Sequence, residues 1–171
     1  MSVKIIVDST TDLNEAIKDR VAIVPLTICF GEEEYVDGVT ITHHQFYEKL
    51  VESDVLPTTS QASPSAFMKV FDEVLGPDDS AVVLTISSKL SGTCQSALIA
   101  AAEYPNVYVV DGSSAAIGSG ILAEYALRLV DMGKSAEEIA SILEEKKKDV
   151  CLIAMLDTLE YLKKGGRISS T

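Results

Sequence analysis

Apolar strand-like runs alternate with amphipathic segments of helical period along this chain, and that alternation limits its fold more than any other feature. Val3 to Val7 is a short β-branched run that stops at Asp8, and Ala81 to Ile86, Val107 to Val110 and Val150 to Met155 repeat the pattern. Between these runs, Phe67, Val70, Phe71 and Val74 recur at helical spacing. Ala115 to Met132 reads as a long apolar helix stopped by Gly133, and Ser135 with Glu138 forms a capping box that opens a helix to about Lys148. Strands separated by helices pair in parallel, because a crossover helix must return the chain to the starting edge. The expected fold class is therefore α/β, a mostly parallel sheet with helices on both faces.

Finer expectations follow from local chemistry. Ser9-Thr10-Thr11-Asp12 carries helix-cap residues and predicts a brief helix to about Lys18. Val21 to Phe30 is apolar with Pro25 in its middle, Gly31 to Glu34 reads as a turn, and Tyr35 to Gly38 as a short return strand. Thr42 with Gln45 is a capping box whose helix places Phe46, Leu50 and Val51 on one face. Leu56 to Pro64 reads as a loop, and Ser63-Pro64 as a helix start. Asp157 with Glu160 predicts a cap on a short helix that ends at Gly165-Gly166. Residues 1–155 are expected to form one domain, and residues 156–171 the start of a second, truncated one.

Composition excludes several function classes. Hydrophobic residues make up 47% of the 171, too many for a disordered chain. The net charge is −12, which argues against a nucleic-acid binder that tracks phosphates. Positive charge gathers from Lys146 to Thr171, where an anionic partner would be met. Cys29, Cys94 and Cys151 have neither metal-site nor disulfide spacing and read as free thiols in a reducing compartment. The first apolar run is too short for a signal peptide and no run reaches the ~18 residues that span a bilayer. A cytoplasmic, soluble protein is expected.

In open parallel sheets ligands sit beyond the carboxyl ends of the strands. The loops there are dense in hydroxyls: Asp8-Ser9-Thr10-Thr11, Thr58-Thr59-Ser60-Gln61, Ser87 to Thr93, and Asp111-Gly112-Ser113-Ser114. Each leads toward a helix start, so hydroxyls and backbone N–H groups together favour an anion. One cap per helix would need fewer such residues. Catalytic constellations are weaker. His43 and His44 are adjacent, diverge by about a hundred degrees on a helix, and read as surface residues. There is no Gly-x-Ser-x-Gly elbow, and Gly118-Ser119-Gly120 lies inside a helix, where small residues serve packing. Asp8 and Asp111, both at strand ends, could hold Mg²⁺ beside a phosphate.

These loops, in order, resemble the DegV family of bacterial fatty-acid-binding proteins. The matching pieces are Ile6-Val7-Asp8-Ser9-Thr10-Thr11-Asp12-Leu13, Val24-Pro25-Leu26, Pro57 to Pro64, Ser88-Lys89-Leu90-Ser91-Gly92-Thr93, Tyr108-Val109-Val110-Asp111, and Asp157 to Ile168 with its Gly-Gly-Arg-Ile end. The resemblance implies a protein that binds one long-chain fatty acid and does no chemistry of its own. FakB-like members present the lipid carboxylate to a separate fatty acid kinase, which makes the acyl phosphate. Carried over to this sequence, the carboxylate would be held by Thr59, Ser60, Ser91, Gly92 and Thr93, with Arg167 near the head group. Ile86, Leu90 and Ile117 would line the acyl chain. No cofactor beyond the lipid is implied. Partners would be the fatty acid and the kinase, with transient membrane-surface contact for lipid exchange and no nucleic acid. The family continues for roughly another hundred residues that complete the second domain, including a head-group His. The carboxy-terminal lobe is then largely missing here, and self-association through the uncovered apolar side chains is expected. The alternatives are a metal-dependent hydrolase or phosphotransferase built on Asp8 and Asp111, and an inactive truncated scaffold.

Overall fold

The computed structural model describes Ser2 to Ile168. In chain order its strands are β1 (Val3–Asp8), β2 (Val21–Val24), β3 (Thr27–Phe30), β4 (Glu33–Val36), β5 (Thr58–Ser60), β6 (Ser80–Thr85) and β7 (Val107–Asp111). The helices are α1 (His43–Glu52), α2 (Pro64–Val74), α3 (Thr93–Ala101), α4 (Ala116–Asp131), α5 (Ala136–Lys146) and the short α6 (Glu160–Lys164). The main sheet has the order β2-β1-β6-β7 and every pair in it is parallel.

Alternation along the strands divides the core in two. Ile5, Val7, Val82, Leu84 and Val110 face α4 and α5, where they pack with Leu122, Ala126, Ile139 and Leu143. Ile6, Ala81 and Val83 face α2 and α3 and pack with Phe67, Phe71, Ala97 and Ala100. Because both faces are covered, β6 is apolar at consecutive positions rather than alternating. Helices thus lie on both faces of a parallel sheet, as the pattern of the sequence required.

Helix boundaries follow their caps. Ser63 Oγ accepts from Ala66 N at 3.2 Å with Pro64 in the first turn, and both capping boxes, Thr42/Gln45 and Ser135/Glu138, are formed. Gly133 ends α4 with a φ of +78°, a left-handed conformation that costs glycine little. Gly118 and Gly120 sit within α4 for close approach. A Cβ on Gly120 would lie 2.0 Å from the Asp12 carbonyl oxygen, so the 9–12 loop can touch this helix only at a glycine.

Five local expectations are corrected. No α-helix follows β1; the segment turns and ends in one 3₁₀ turn, Lys18–Arg20. Its side chains take the backbone donors first: Asp8 binds Thr10 N and Asn14 Oδ1 binds Ala16 N, which favours turns over a helix. The loop from Leu56 to Pro64 contains β5, which joins β3 and β4 in a second, antiparallel sheet of order β4-β3-β5. Val51 is 87% exposed; of the expected face of α1, Phe46 packs on the small core of Ile28, Phe30 and Ile41. Val150 to Met155 forms no strand and Met155 is 99% exposed, since no sheet edge receives its backbone. At α6 it is Thr158 Oγ1, not Asp157, that accepts from Glu160 N at 3.2 Å. Among the described residues no helix is long and apolar enough to cross a membrane.

Candidate functional site

The carboxyl ends of β1, β6 and β7 meet at one edge of the main sheet, as the parallel registers require. Asp8, the last residue of β1, is fully buried there. Its Oδ1 accepts from Thr10 N at 3.0 Å and from Thr10 Oγ1 at 2.5 Å, and its Oδ2 from Ile86 N at 2.6 Å. Burial pushes the Asp8 carboxyl above its usual range, and the hydrogen bonds from Thr10 and Ile86 only partly offset it. Asp111, ending β7, is half-buried and accepts on Oδ1 from Ser88 N at 3.2 Å and Ser113 N at 2.9 Å. Burial also pushes this carboxyl upward, but the bonds from Ser88 and Ser113 and the charge of Lys147 outweigh it, so it lies below its usual range. Lys147 Nζ in addition donates to the Asp111 carbonyl at 3.0 Å.

Both carboxylates suggested as metal ligands are therefore engaged by backbone donors. Among the described residues no group of three or more His, Cys, Asp or Glu side chains could hold a metal ion. His43 opens α1, and His44 pairs with Glu48 at 3.2 Å on the exposed face of that helix.

The hydroxyl residues fall on two segments that touch. Pairing of β5 with β3 sets Thr59 opposite Ile28 and Ser60 opposite Thr27, and both Thr59 and Ser60 are exposed. Beyond β6, Ser91 Oγ lies 2.9 Å from Thr93 Oγ1 and accepts from Thr93 N at 3.3 Å, while Gly92 stands at the start of α3 with no side-chain cap. Thr93 is buried and Ser91 partly open. Gln61 joins the two segments. Its Nε2 donates to the buried Ser96 Oγ at 2.9 Å, and its amide fills the space a Cβ on Gly92 would occupy, only 2.0 Å from Oε1. Thr58 to Gln61 and Ser91 to Thr93 thus converge on the N-terminus of α3. Sequence reasoning did not assign Gln61 a role; the signal available was its place directly after the two hydroxyls.

The remaining candidates are distributed around this edge. Ile86 is half-buried immediately after β6, Leu90 is exposed in the loop that follows, and Ile117 is 60% exposed in the first turn of α4. The structure does not join Arg167 to the hydroxyls. Its Nη1 donates to the Gly165 carbonyl at 2.6 Å, and among the described residues every hydrogen bond and ion pair made from Cys151 to Ile168 stays within that stretch.

Two features escaped the sequence altogether. Ser113 and Ala116 have φ of 52° and 49°, values that side chains rarely adopt and that cost on the order of 1–3 kcal/mol each. Nearby, the hydroxyls of Thr11, Thr85, Ser114 and Ser119 are buried with no hydrogen-bond partner among the described residues.

The DegV family model, described as "Uncharacterised protein, DegV family", matches residues 2–171. Among curated proteins, a DegV domain-containing protein of Caldanaerobacter subterraneus subsp. tengcongensis is 38% identical over 173 residues, covering 99% of this chain and 61% of that protein. Protein DegV of Bacillus subtilis is 32% identical over 175 residues, covering 99% of this chain and 62% of its own. The chain therefore spans about three fifths of the length of these relatives. Among solved structures, a DegV family protein from Thermus thermophilus, described as fatty-acid binding, superposes with a TM-score of 0.83 at 36% identity, covering 97% of this chain and 60% of that one. Bacillus subtilis DegV, described as a fatty acid binding protein, superposes at 0.85 with 29% identity over 97% of this chain and 61% of that one. A DegV family protein from Eubacterium eligens loaded with heptadecanoic acid superposes at 0.81 with 26% identity, covering 99% and 62%. With a family match from end to end and a relative at this identity, the chain belongs to the DegV family.

Proposed function

We propose that this chain is the amino-terminal part of a long-chain fatty-acid-binding protein that offers the lipid carboxylate to a separate fatty acid kinase. The observation that carries this reading is the meeting of Thr58 to Gln61 with Ser91 to Thr93 at the N-terminus of α3, in a chain whose structural neighbours are described as fatty-acid binding. In it, Thr59, Ser60, Ser91, Gly92 and Thr93 hold the carboxylate. Neutral donors suit a ligand that must later accept a phosphoryl group, because an Arg clamp on both oxygens would oppose the transfer. Each hydroxyl given to a carboxylate is worth about 1.5–3 kcal/mol. The acyl chain adds about 0.8 kcal/mol per buried CH₂ and supplies most of the affinity.

Ile86, Leu90 and Ile117 line the acyl chain in this reading, and residues 156–171 open a second domain that completes the tunnel. Arg167 guides the phosphoryl donor or the kinase rather than the lipid. The protein acts in the cytoplasm, carries no cofactor besides the lipid, has no catalytic constellation of its own, and touches the membrane surface transiently to exchange lipid. Ile117 and Ile121, four residues apart on α4, are both exposed and support self-association of the 171-residue chain.

The test is palmitate binding by a displaced fluorescent lipid, with native mass spectrometry on the same samples. In a full-length version that includes the second domain, Thr59→Val removes a donor at nearly constant shape and weakens binding roughly tenfold or more, an effect muted in the 171-residue chain. Arg167→Ala leaves binding closer to the parent and lowers phosphoryl transfer in the presence of kinase and ATP. Unchanged affinity in Thr59→Val refutes the head-group assignment, and a metal adduct in place of a lipid adduct refutes the carrier reading.

A further inference from the structure

Three consecutive backbone N–H groups at the end of β6 are each held by a different element. Ile86 N donates to Asp8 Oδ2 at 2.6 Å, Ser87 N to the Ser114 carbonyl at 2.8 Å, and Ser88 N to Asp111 Oδ1 at 3.2 Å. The next turn hangs from this anchored stretch. Leu90 N and Ser91 N both donate to the Ser87 carbonyl, at 2.9 and 3.2 Å, and Ser91 Oγ then meets Thr93 Oγ1. Asp8 and Asp111 flank β6 on its two neighbouring strands, so the loop that carries Ser91 is tied from both sides.

We propose that Asp8 and Asp111 are positioning residues, which hold the Ile86–Ser91 segment by its backbone and so fix the Ser91 hydroxyl for a ligand carboxylate. The inference rests on the fatty-acid reading for the identity of the ligand, but the tether itself does not. Charge-assisted bonds from backbone N–H to carboxylate are among the stronger hydrogen bonds a protein makes, and a buried one holds its donor in a single geometry. An anion site needs that stiffness, because its donors must be aimed before the ligand arrives.

The two carboxylates use their oxygens differently, and this makes the inference testable. Asp111 takes its two backbone partners, Ser88 N and Ser113 N, on the single atom Oδ1. An asparagine can reproduce that with its one carbonyl oxygen. Asp8 uses Oδ1 for Thr10 and Oδ2 for Ile86. An asparagine there must turn its NH₂ toward a backbone N–H, losing one tie. A role in charge alone, whether repelling the lipid carboxylate or holding a cation, gives both Asn variants the same behaviour.

The experiment combines amide hydrogen exchange of Ile86 and Ser88 on the folded 171-residue chain with palmitate affinity of the protein that carries the second domain as well. Asp8→Asn is expected to speed exchange at Ile86 and weaken palmitate roughly tenfold. Asp111→Ala should do the same at Ser88, and Asp111→Asn should restore both exchange and affinity to within about twofold of the parent. If Asp111→Asn is as damaging as Asp111→Ala, or if Asp8→Asn leaves the Ile86 amide protected, the inference is overturned. Should Asp8→Asn not fold, the Asp111 pair decides by itself. A protein that carries the second domain and takes up no palmitate refutes the lipid reading, and the exchange pattern of the 171-residue chain still accepts or rejects the tether.

Discussion

Replacing Gly92 with alanine would measure how tightly the two hydroxyl segments are joined. The new Cβ would lie 2.0 Å from Gln61 Oε1 and 2.8 Å from its Cδ, too close for either to remain. Backbone strain is not the issue, since Gly92 has φ −75° and ψ 3°, open to any residue. Gln61 is a flexible side chain whose tip can swing away, so the conflict is relieved at the cost of its bond to Ser96. Ser96 is only 2% exposed, and a buried hydroxyl left without its partner costs about 1–3 kcal/mol. Alanine is also a poorer helix cap than glycine by about 0.5–1 kcal/mol, which the stiffer unfolded chain offsets by about 0.4–1 kcal/mol. The net expectation is about 2 kcal/mol, or a fall in Tm of roughly 4–8 °C for a chain of this size. Urea denaturation of the four members of a Gly92→Ala and Gln61→Ala cycle reads it directly. In the Gln61→Ala background the clash has no partner, so Gly92→Ala should cost less than about 0.5 kcal/mol. An equal cost in both backgrounds would mean that Gln61 does not pack on Gly92, and the convergence of the two segments would lose its main support.

Other perturbations separate rigid from yielding contacts. Gly120→Ala sets its Cβ against the Asp12 backbone carbonyl, which cannot swing aside, so it should cost about 3 kcal/mol or more; Gly118→Ala meets side chains, Ser114 first and Val150 at ordinary contact distance, and should cost less, as thermal denaturation of the pair will read. Ser119→Ala removes a buried hydroxyl without a partner and should leave stability unchanged or raise it by about 1 kcal/mol; a clear loss in urea denaturation would reveal a partner for that hydroxyl. Asp79 is held down to about 2 by bonds from Ser2 N, Ser2 Oγ and Gly76 N. Its folded pKa is depressed below the usual 3.8, so its contribution is present above 3.8 and fades as pH falls toward about 2. In that window the parent should lose stability faster than Asp79→Asn, and parallel acid limbs would refute the assignment.

How much of this was legible beforehand depended on the range of the forces involved. The parallel sheet, the helices on both its faces and the two capping boxes are written in neighbouring residues: a period of two or 3.6, a hydroxyl three positions before a Glu or Gln, a Pro after a Ser. Thr59, Ser60 and Ser91 could be singled out because their loops carry more hydroxyls than helix caps need, and because the motifs resemble those of a family.

The sequence by itself determined the fold class and the edge of the sheet where a ligand would be met. The tertiary structure alone decided which segments pair and which polar atoms meet. Thr58–Ser60 has no strand pattern of its own and becomes β5 because β3 offers it an edge, whereas the apolar run from Val150 to Met155 finds no edge and stays irregular. Asp8 and Asp111 look like free carboxylates in one dimension and are backbone tethers in three. Gln61 gains its place only from Gly92 and Ser96, more than thirty residues along the chain. The physical reason is the same in each case: apolar periodicity is a local property of the chain, while a hydrogen bond is satisfied by whichever partner the fold brings within about 3 Å.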